Sequence, residues 1–325
     1  MKLLQAIDNY VTLKQSLGAI YTSASKILRS FSRLVGDIPI EEITAEQCRQ
    51  FCYGGDLATS TSVKKHQAIR RFFHHLVRRG YLTSSPAGEP TRRVVSTFLP
   101  HIYSRNELEL LLAGALRLAD RFRFDGYTLR ILLLLLYATG LRVGEALALR
   151  CCDVELSQRL LTVWRAKFFK SRLVPFGQDL ARVLKAFRDR RNTFPLPDGE
   201  RSAFFATREG KPIHLGRVEA AFDRIRTEEG IHRLDTASHK PRIHDLRATF
   251  AVHQLIAWYR EGVDVQKRLP FLATYLGHTS LSGTQLYLRM TSELLNEASR
   301  LFEMYASVVK EVGDEREESL RAVRS

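Results

Sequence analysis

Leu129-Arg130-Ile131-Leu132-Leu133-Leu134-Leu135-Leu136-Tyr137-Ala138-Thr139-Gly140-Leu141-Arg142-Val143-Gly144-Glu145 is the stretch from which the fold is read. Leu129 to Thr139 is an apolar helix, and Gly140 stands in the position that ends such helices. The apolar run from Ile131 to Ala138 is far short of the ~20 residues that cross a bilayer, so a membrane span is not expected. Upstream, Ser104-Arg105-Asn106-Glu107 is a capping box that opens a Leu/Ala-rich helix. Downstream, Arg159 to Arg165 and Ser171 to Pro175 predict two short strands around a turn. Helical patterns resume near Asp179, Arg217, His244 and Ser292. The expected fold class is mainly α with a small β-sheet.

Residues 1–85 predict helices only. Leu3, Ile7, Tyr10, Val11, Lys14 and Leu17 follow the 3.6 period, and Thr44-Ala45-Glu46-Gln47 caps a helix running to about Tyr53. Cys48 and Cys52 lie one turn apart there, which fits half of a metal site or two core thiols. No second Cys/His pair has zinc-like spacing, so core thiols are expected. Ser84-Ser85-Pro86-Ala87-Gly88-Glu89-Pro90 is turn-rich, and Pro100 marks its far end. The domains expected are 1–85, a linker at 86–100, a larger domain at 101–310, and an acidic, disordered tail at 311–325. Adjacent Cys151 and Cys152 are expected to pack rather than bridge.

The 325 residues suggest about two domains, and 45% hydrophobic content excludes a generally disordered chain. Four cysteines exclude a dense secreted scaffold, and the start Met1-Lys2-Leu3-Leu4-Gln5 does not resemble a secretory leader. A soluble, cytoplasmic, nucleoid-associated protein is expected. Lys and Arg total 50 against 35 Asp and Glu, a net charge of +15 that favours nucleic acid as partner. This charge is uneven. Residues 1–62 are neutral overall, 63–93 carry net +7, and 291–325 carry net −3. A basic run alone is more often a solvated helix face. Here Phe72, Phe73, Leu76 and Val77 interleave it at helical spacing, so one face can pack while the other meets phosphates. Lys64, Lys65, Arg70, Arg71, Arg78 and Arg79 are the candidate DNA-binding residues.

There is no Gly-rich phosphate loop, no Gly-x-Ser-x-Gly elbow and no His-Glu-x-x-His. Instead, three patterns stand out: Ala138 to Glu145, His244-Asp245-Leu246-Arg247, and Leu276-Gly277-His278 with Tyr287 nine residues after the histidine. In content, order and separation these resemble the tyrosine recombinases, the phage-integrase and Xer-like family of DNA strand-exchange enzymes. The resemblance covers residues 100–310; residues 1–85 resemble the family's helical core-binding domain in length, position and basic last helix. It implies a C-terminal catalytic domain that cleaves and rejoins DNA through a 3′-phosphotyrosyl intermediate, with no metal, ATP or other cofactor. Arg247 and His278 are 31 residues apart, with the excess near Trp258 to Asp264. Together with Lys167-Phe168-Phe169-Lys170, that feature resembles recombinases borne on transposons or integrated elements more than housekeeping dimer-resolving enzymes.

The implied chemistry explains the residue types. Transesterification of a phosphodiester concentrates negative charge on non-bridging oxygens, which planar guanidinium forks suit. Arg142 and Arg247 take that role, and Tyr287 is the nucleophile. A free tyrosine is a weak nucleophile near neutral pH, so His244 is assigned as proton acceptor and His278 as hydrogen-bond donor to the scissile phosphate. The family's lysine, which protonates the leaving 5′ oxygen, maps to Lys167 in preference to Lys170. Phe168-Phe169 replaces the glycine usual beside it. Glu145 is expected to orient Arg142 rather than act as a base. Singly, Arg142 reads equally as a helix cap paired with Glu145, and His244 as a helix-terminal residue. His239 and His253 are expected to be structural.

The expected partners are double-stranded DNA and further copies of the chain. The resemblance implies a synaptic tetramer on DNA, with the amphipathic segment 292–309 docking on a neighbouring protomer. Two other functions stay open at this point: a non-catalytic architectural DNA-binding protein and a type IB topoisomerase-like relaxing enzyme.

Overall fold

Apolar residues at helical spacing build the first part of the chain: Leu3, Ala6, Ile7, Tyr10 and Val11 line α1 (Leu3–Ser16), all buried. A computed structural model describes residues 1–19, 21–54, 59–89, 99–118, 124–164, 171–233, 239–278 and 282–289. The chain divides into two units, Met1–Phe98 and Leu99–Ser325.

In the first unit α1 is joined by α2 (Thr22–Val35), α3 (Ala45–Tyr53) and α4 (Ser60–Arg78). Phe31, Phe51, Ile69, Phe72 and Phe73 fill the shared core. Thr44 caps α3 through a reciprocal box with Gln47. Cys48 and Cys52 sit in this core, where burial pushes their thiols up to about 12 and about 11. Residues 86–89, which the sequence assigns to the linker, stay with this unit. Ala87 is buried, His66 Nε2 pairs with Gly88 O at 2.9 Å, and Arg70 pairs with Glu89. Turn-forming residues mark a change of direction, and the buried His66 ring requires a partner that this segment supplies.

In the second unit α6 (Gly126–Thr139) runs through the core. It packs against α5 (Arg105–Leu116), α8 (Gln178–Arg191) and α10 (Asp245–Arg260), which is why it is apolar around most of its circumference. The Ser104 box caps α5, and Asp125 caps α6 by accepting from Thr128 N at 2.7 Å. The small sheet is antiparallel, ordered β1 (Val154–Glu155), β2 (Leu160–Val163), β3 (Arg172–Pro175), with Val163 opposite Arg172. Leu161, Val163 and Val174 turn inward. α7 (Val143–Leu147) follows α6, and α9 (Leu215–Glu228) packs on α5 and α7. A second cluster joins α10, α11 (Val265–Leu276) and Tyr287. The long Arg247–His278 separation is filled by the end of α10, a turn with Gly262 at φ +69°, and α11. Among the described residues no helix is long and apolar enough to cross a membrane.

Candidate active site

Two helix ends meet at the site, and each ends on glycine for a steric reason. Gly140, after α6, has φ +60°; a Cβ there would lie 2.5 Å from Phe250 Cδ1 and 2.7 Å from Leu276 Cδ2. Gly277, after α11, has φ +70°; its Cβ would lie 2.9 Å from Arg172 Nη1. Helix C-termini present carbonyls without intrahelical partners, at the negative end of the helix dipole. Guanidinium groups occupy that position here. Arg247, in the first turn of α10, donates Nη1 to Gly140 O and Nη2 to Leu276 O, both at 2.6 Å. Arg142 donates Nη2 to Gly277 O at 3.4 Å.

Arg247 is 3% exposed, and among the described residues no carboxylate pairs with it. Burial, followed by repulsion from Arg142, draws its pKa down to about 10, which leaves it cationic at neutral pH. Arg142 sits at the N-cap of α7, in a box with Glu145. Its backbone N donates to Oε2 at 3.1 Å and its Nη1 to Oε1 at 2.8 Å. Arg142 is therefore a helix cap paired with Glu145 as well as a guanidinium beside Arg247. Glu145 is also gripped from β3: Arg172 Nη1 reaches Oε1 at 3.1 Å and Nη2 reaches Oε2 at 2.8 Å. Burial alone would raise this carboxyl, but bonds and charge from Arg172 and Arg142 hold it at about 2.

His278 follows Gly277, with Nδ1 2.7 Å from the hydroxyl of the buried Thr284. Burial and then the charges of Arg247 and Arg142 lower it to about 4, so it is neutral at pH 7. Its ring lies 6.0 Å from that of Tyr287, tilted by 32°. Tyr287 stands in a 3-10 turn, Leu286–Arg289, after α12 (Ser282–Gln285), and is 9% exposed. His244 precedes α10 and stays solvent-accessible. Crowding by protein, then Arg247 and Arg242, lowers its pKa. Arg142, Glu145, His244, Arg247, His278 and Tyr287 are thus brought together from parts of the sequence far apart.

Lys167 and Lys170 lie outside the described residues. The strand ends flanking their connection are anchored: Trp164 Nε1 donates to Asp153 at 2.7 Å, and Arg172 holds Glu145. On the first unit, Lys64, Arg71, Arg78 and Arg79 are exposed on or at the end of α4. Lys65 and Arg70 have protein partners in this structure. Lys65 Nζ donates to Phe51 O at 3.1 Å and lies over the Phe51 ring, while Arg70 pairs with Glu89. Sequence reasoning also passed over Thr284 and Arg172, whose partners are set by tertiary contacts. The carbonyls of Leu276 and Gly277 had a visible signal, since the glycine of Leu-Gly-His ends a helix.

The phage integrase family model matches residues 104–293. A putative integrase/recombinase of Sinorhizobium fredii is 31% identical, over 91% of this chain and 94% of its own length. The tyrosine recombinase XerC of Chlorobaculum parvum is 30% identical, over 72% and 70%. Among solved structures, the Tn1549 transposon integrase in complex with transposon right end DNA is similar in fold, with TM-score 0.69 and 14% identity over 94% of this chain and 100% of that one. A lambda integrase dimer bound to a COC′ core site gives TM-score 0.63 and 19% identity, over 88% and 77%.

Proposed function

The chain belongs to the phage integrase family of tyrosine recombinases, site-specific enzymes that cleave and rejoin DNA strands by transesterification, and from that premise we propose which residues carry the reaction here. The observation that supports the assignment best is Arg247. It is a buried guanidinium that donates to two carbonyls, beside a second guanidinium, and among the described residues no negative charge is paired with it directly. A DNA phosphate between Arg142 and Arg247 supplies that charge. The pair then stabilises the extra charge of the pentacoordinate state.

In this reading Tyr287 Oη attacks the scissile phosphorus and its proton passes to His244. The bond to the 5′ oxygen breaks, and Lys167 protonates that oxygen. The product is a 3′-phosphotyrosyl bond and a free 5′-hydroxyl. Attack by a 5′-hydroxyl from the exchanging strand reverses these steps, so bond energy is conserved without ATP. With Nδ1 engaged by Thr284, His278 has Nε2 left to donate to a phosphate oxygen. Glu145 orients Arg142.

Lys64, Arg71, Arg78 and Arg79 meet the duplex backbone, joined by Lys65 and Arg70 once these exchange their present partners for phosphate. The protein acts on double-stranded DNA in the cytoplasm, at the nucleoid, as a synaptic tetramer assembled through segment 292–309, which lies outside the described residues. A lambda integrase tetramer bound to a Holliday junction, similar in fold, supports such assembly. The units are proposed to serve as core-binding domain (1–85) and catalytic domain (101–310).

A nicked suicide substrate tests the site. Tyr287→Phe is expected to bind the DNA as the wild type does and form no covalent adduct. An adduct with the Phe variant would falsify the assignment.

A further inference from the structure

The geometry points to Arg172 as a positioning residue for cleavage: it holds and neutralises Glu145, which leaves the guanidinium of Arg142 net cationic and aimed at phosphate. This rests on the reading of Arg142 given above. Glu145 is one carboxylate shared by two guanidinium groups. Arg172 donates to Oε1 at 3.1 Å and to Oε2 at 2.8 Å, and Arg142 donates to the same oxygens from Nη1 and its backbone N. The third donor of Arg172, Nε, reaches Tyr275 O at 3.1 Å in the last turn of α11. Its side chain is 13% exposed and that of Glu145 is 11% exposed, so both are confined. The Arg142 side chain is 34% exposed and has room to move.

Net charge gives this clamp its role. Two guanidinium groups on one carboxylate leave a net positive charge, and the clamp holds that charge on the phosphate side. Without Arg172, Glu145 and Arg142 form a neutral pair, and the carboxylate is free to draw Arg142 into a bidentate bond with itself. The same guanidinium also joins β3 to the end of α11, where the bare Cα of Gly277 lets it lie close. A lysine supplies the charge without the three directed donors, so it is expected to restore only part of the function.

Nicked suicide substrates test this with Arg172→Gln, Arg172→Lys and the double variant Arg172→Gln/Glu145→Gln, alongside wild type. Single-turnover adduct formation by Arg172→Gln is expected to fall about tenfold to a hundredfold, as misplaced groups near a reacting centre do. Its affinity for DNA is expected to stay within about threefold, since the change acts on the reaction rather than on grip. Three readouts separate positioning from packing. First, the double variant, which removes the unneutralised carboxylate as well, cleaves faster than Arg172→Gln alone. Second, Arg172→Lys falls between wild type and Arg172→Gln. Third, the deficit narrows on a methylphosphonate at the scissile position, where one charged oxygen is already absent.

An equal deficit on both substrates, or a double variant no faster than the single, overturns the inference. So does rescue of Arg172→Gln by a bridging 5′-sulfur, a leaving group that needs no proton, because that places the effect on Lys167. Should Arg172→Gln fail to fold, Arg172→Lys is compared with wild type on the phosphodiester and the methylphosphonate, and an equal deficit on both overturns the inference. Adduct formation by Tyr287→Phe would overturn the active-site reading itself. Wild-type rates in Arg172→Gln would overturn this inference alone.

Discussion

Arg78 and Arg247 show the two units using one residue type in opposite ways. Arg78 lies at the exposed end of α4, on a helix whose other face is buried through Phe72, Phe73 and Leu76. Its charge is free to find any nearby anion, and water screens it. Arg247 is buried, fixed by two carbonyls at 2.6 Å, with Arg142 repelling it. Surface cations act by number and buried ones by geometry. Burial alone does not single out Arg247, because Arg191 is 1% exposed and also held by carbonyls, those of Pro195 and Ala203. What distinguishes Arg247 is the second guanidinium, the histidines and the tyrosine around it.

The contrast breaks most decisively at Arg247. Arg247→Lys keeps the charge and loses the fork, and adduct formation is expected to drop about 10²–10³-fold, the scale of lost transition-state donors. Equal activity in single-turnover cleavage would show that charge alone suffices, as it does on α4. Acid sharpens the contrast next. Glu145 is held at about 2 against an ordinary 4.5, so its stabilising effect is complete above pH 4.5 and is lost as pH falls toward 2. The contribution is on the order of 3 kcal/mol. Urea denaturation from pH 5 to 2 should show wild type losing more stability than Glu145→Gln does.

Backbone tells the units apart as well. Gly140 and Gly80 both have positive φ, but only Gly140 would bring a Cβ against neighbours, Phe250 and Leu276. Gly140→Ala is expected to cost about 2 kcal/mol or more and Gly80→Ala about 1, measured by thermal or urea unfolding. The smallest effect belongs to α4. Arg78→Ala should weaken DNA binding modestly and lower the slope of log affinity against log salt by about 1, leaving cleavage of bound DNA unchanged. A change in cleavage rate at saturating DNA would contradict the division between grip and chemistry.

Much of this was legible along the chain because it depends on neighbours. The boxes at Thr44 and Ser104, the stop at Gly140 and the two strands around residues 159–176 all appear where their local signals stand. Lys65 and Arg70 show where that legibility ends. Their basic side chains read as phosphate-facing, but nothing along the chain signals the partners they have without DNA: a carbonyl from α3 for Lys65 and a carboxylate from the returning segment for Arg70. Arg172 was equally hidden, since its carboxylate partner is 27 residues away and in a different element.

Residue order alone determined the capped and periodic helices, the three motifs and hence the family chemistry they imply, because capping, periodicity and motif spacing act over a few residues. Tertiary structure alone decided how the arginines are held. Arg247 reaches Gly140 across 107 residues and Leu276 across 29, and Arg142 reaches Gly277 across 135. Such contacts depend on which helix ends meet, and that is settled only when the apolar faces of α6, α10 and α11 pack.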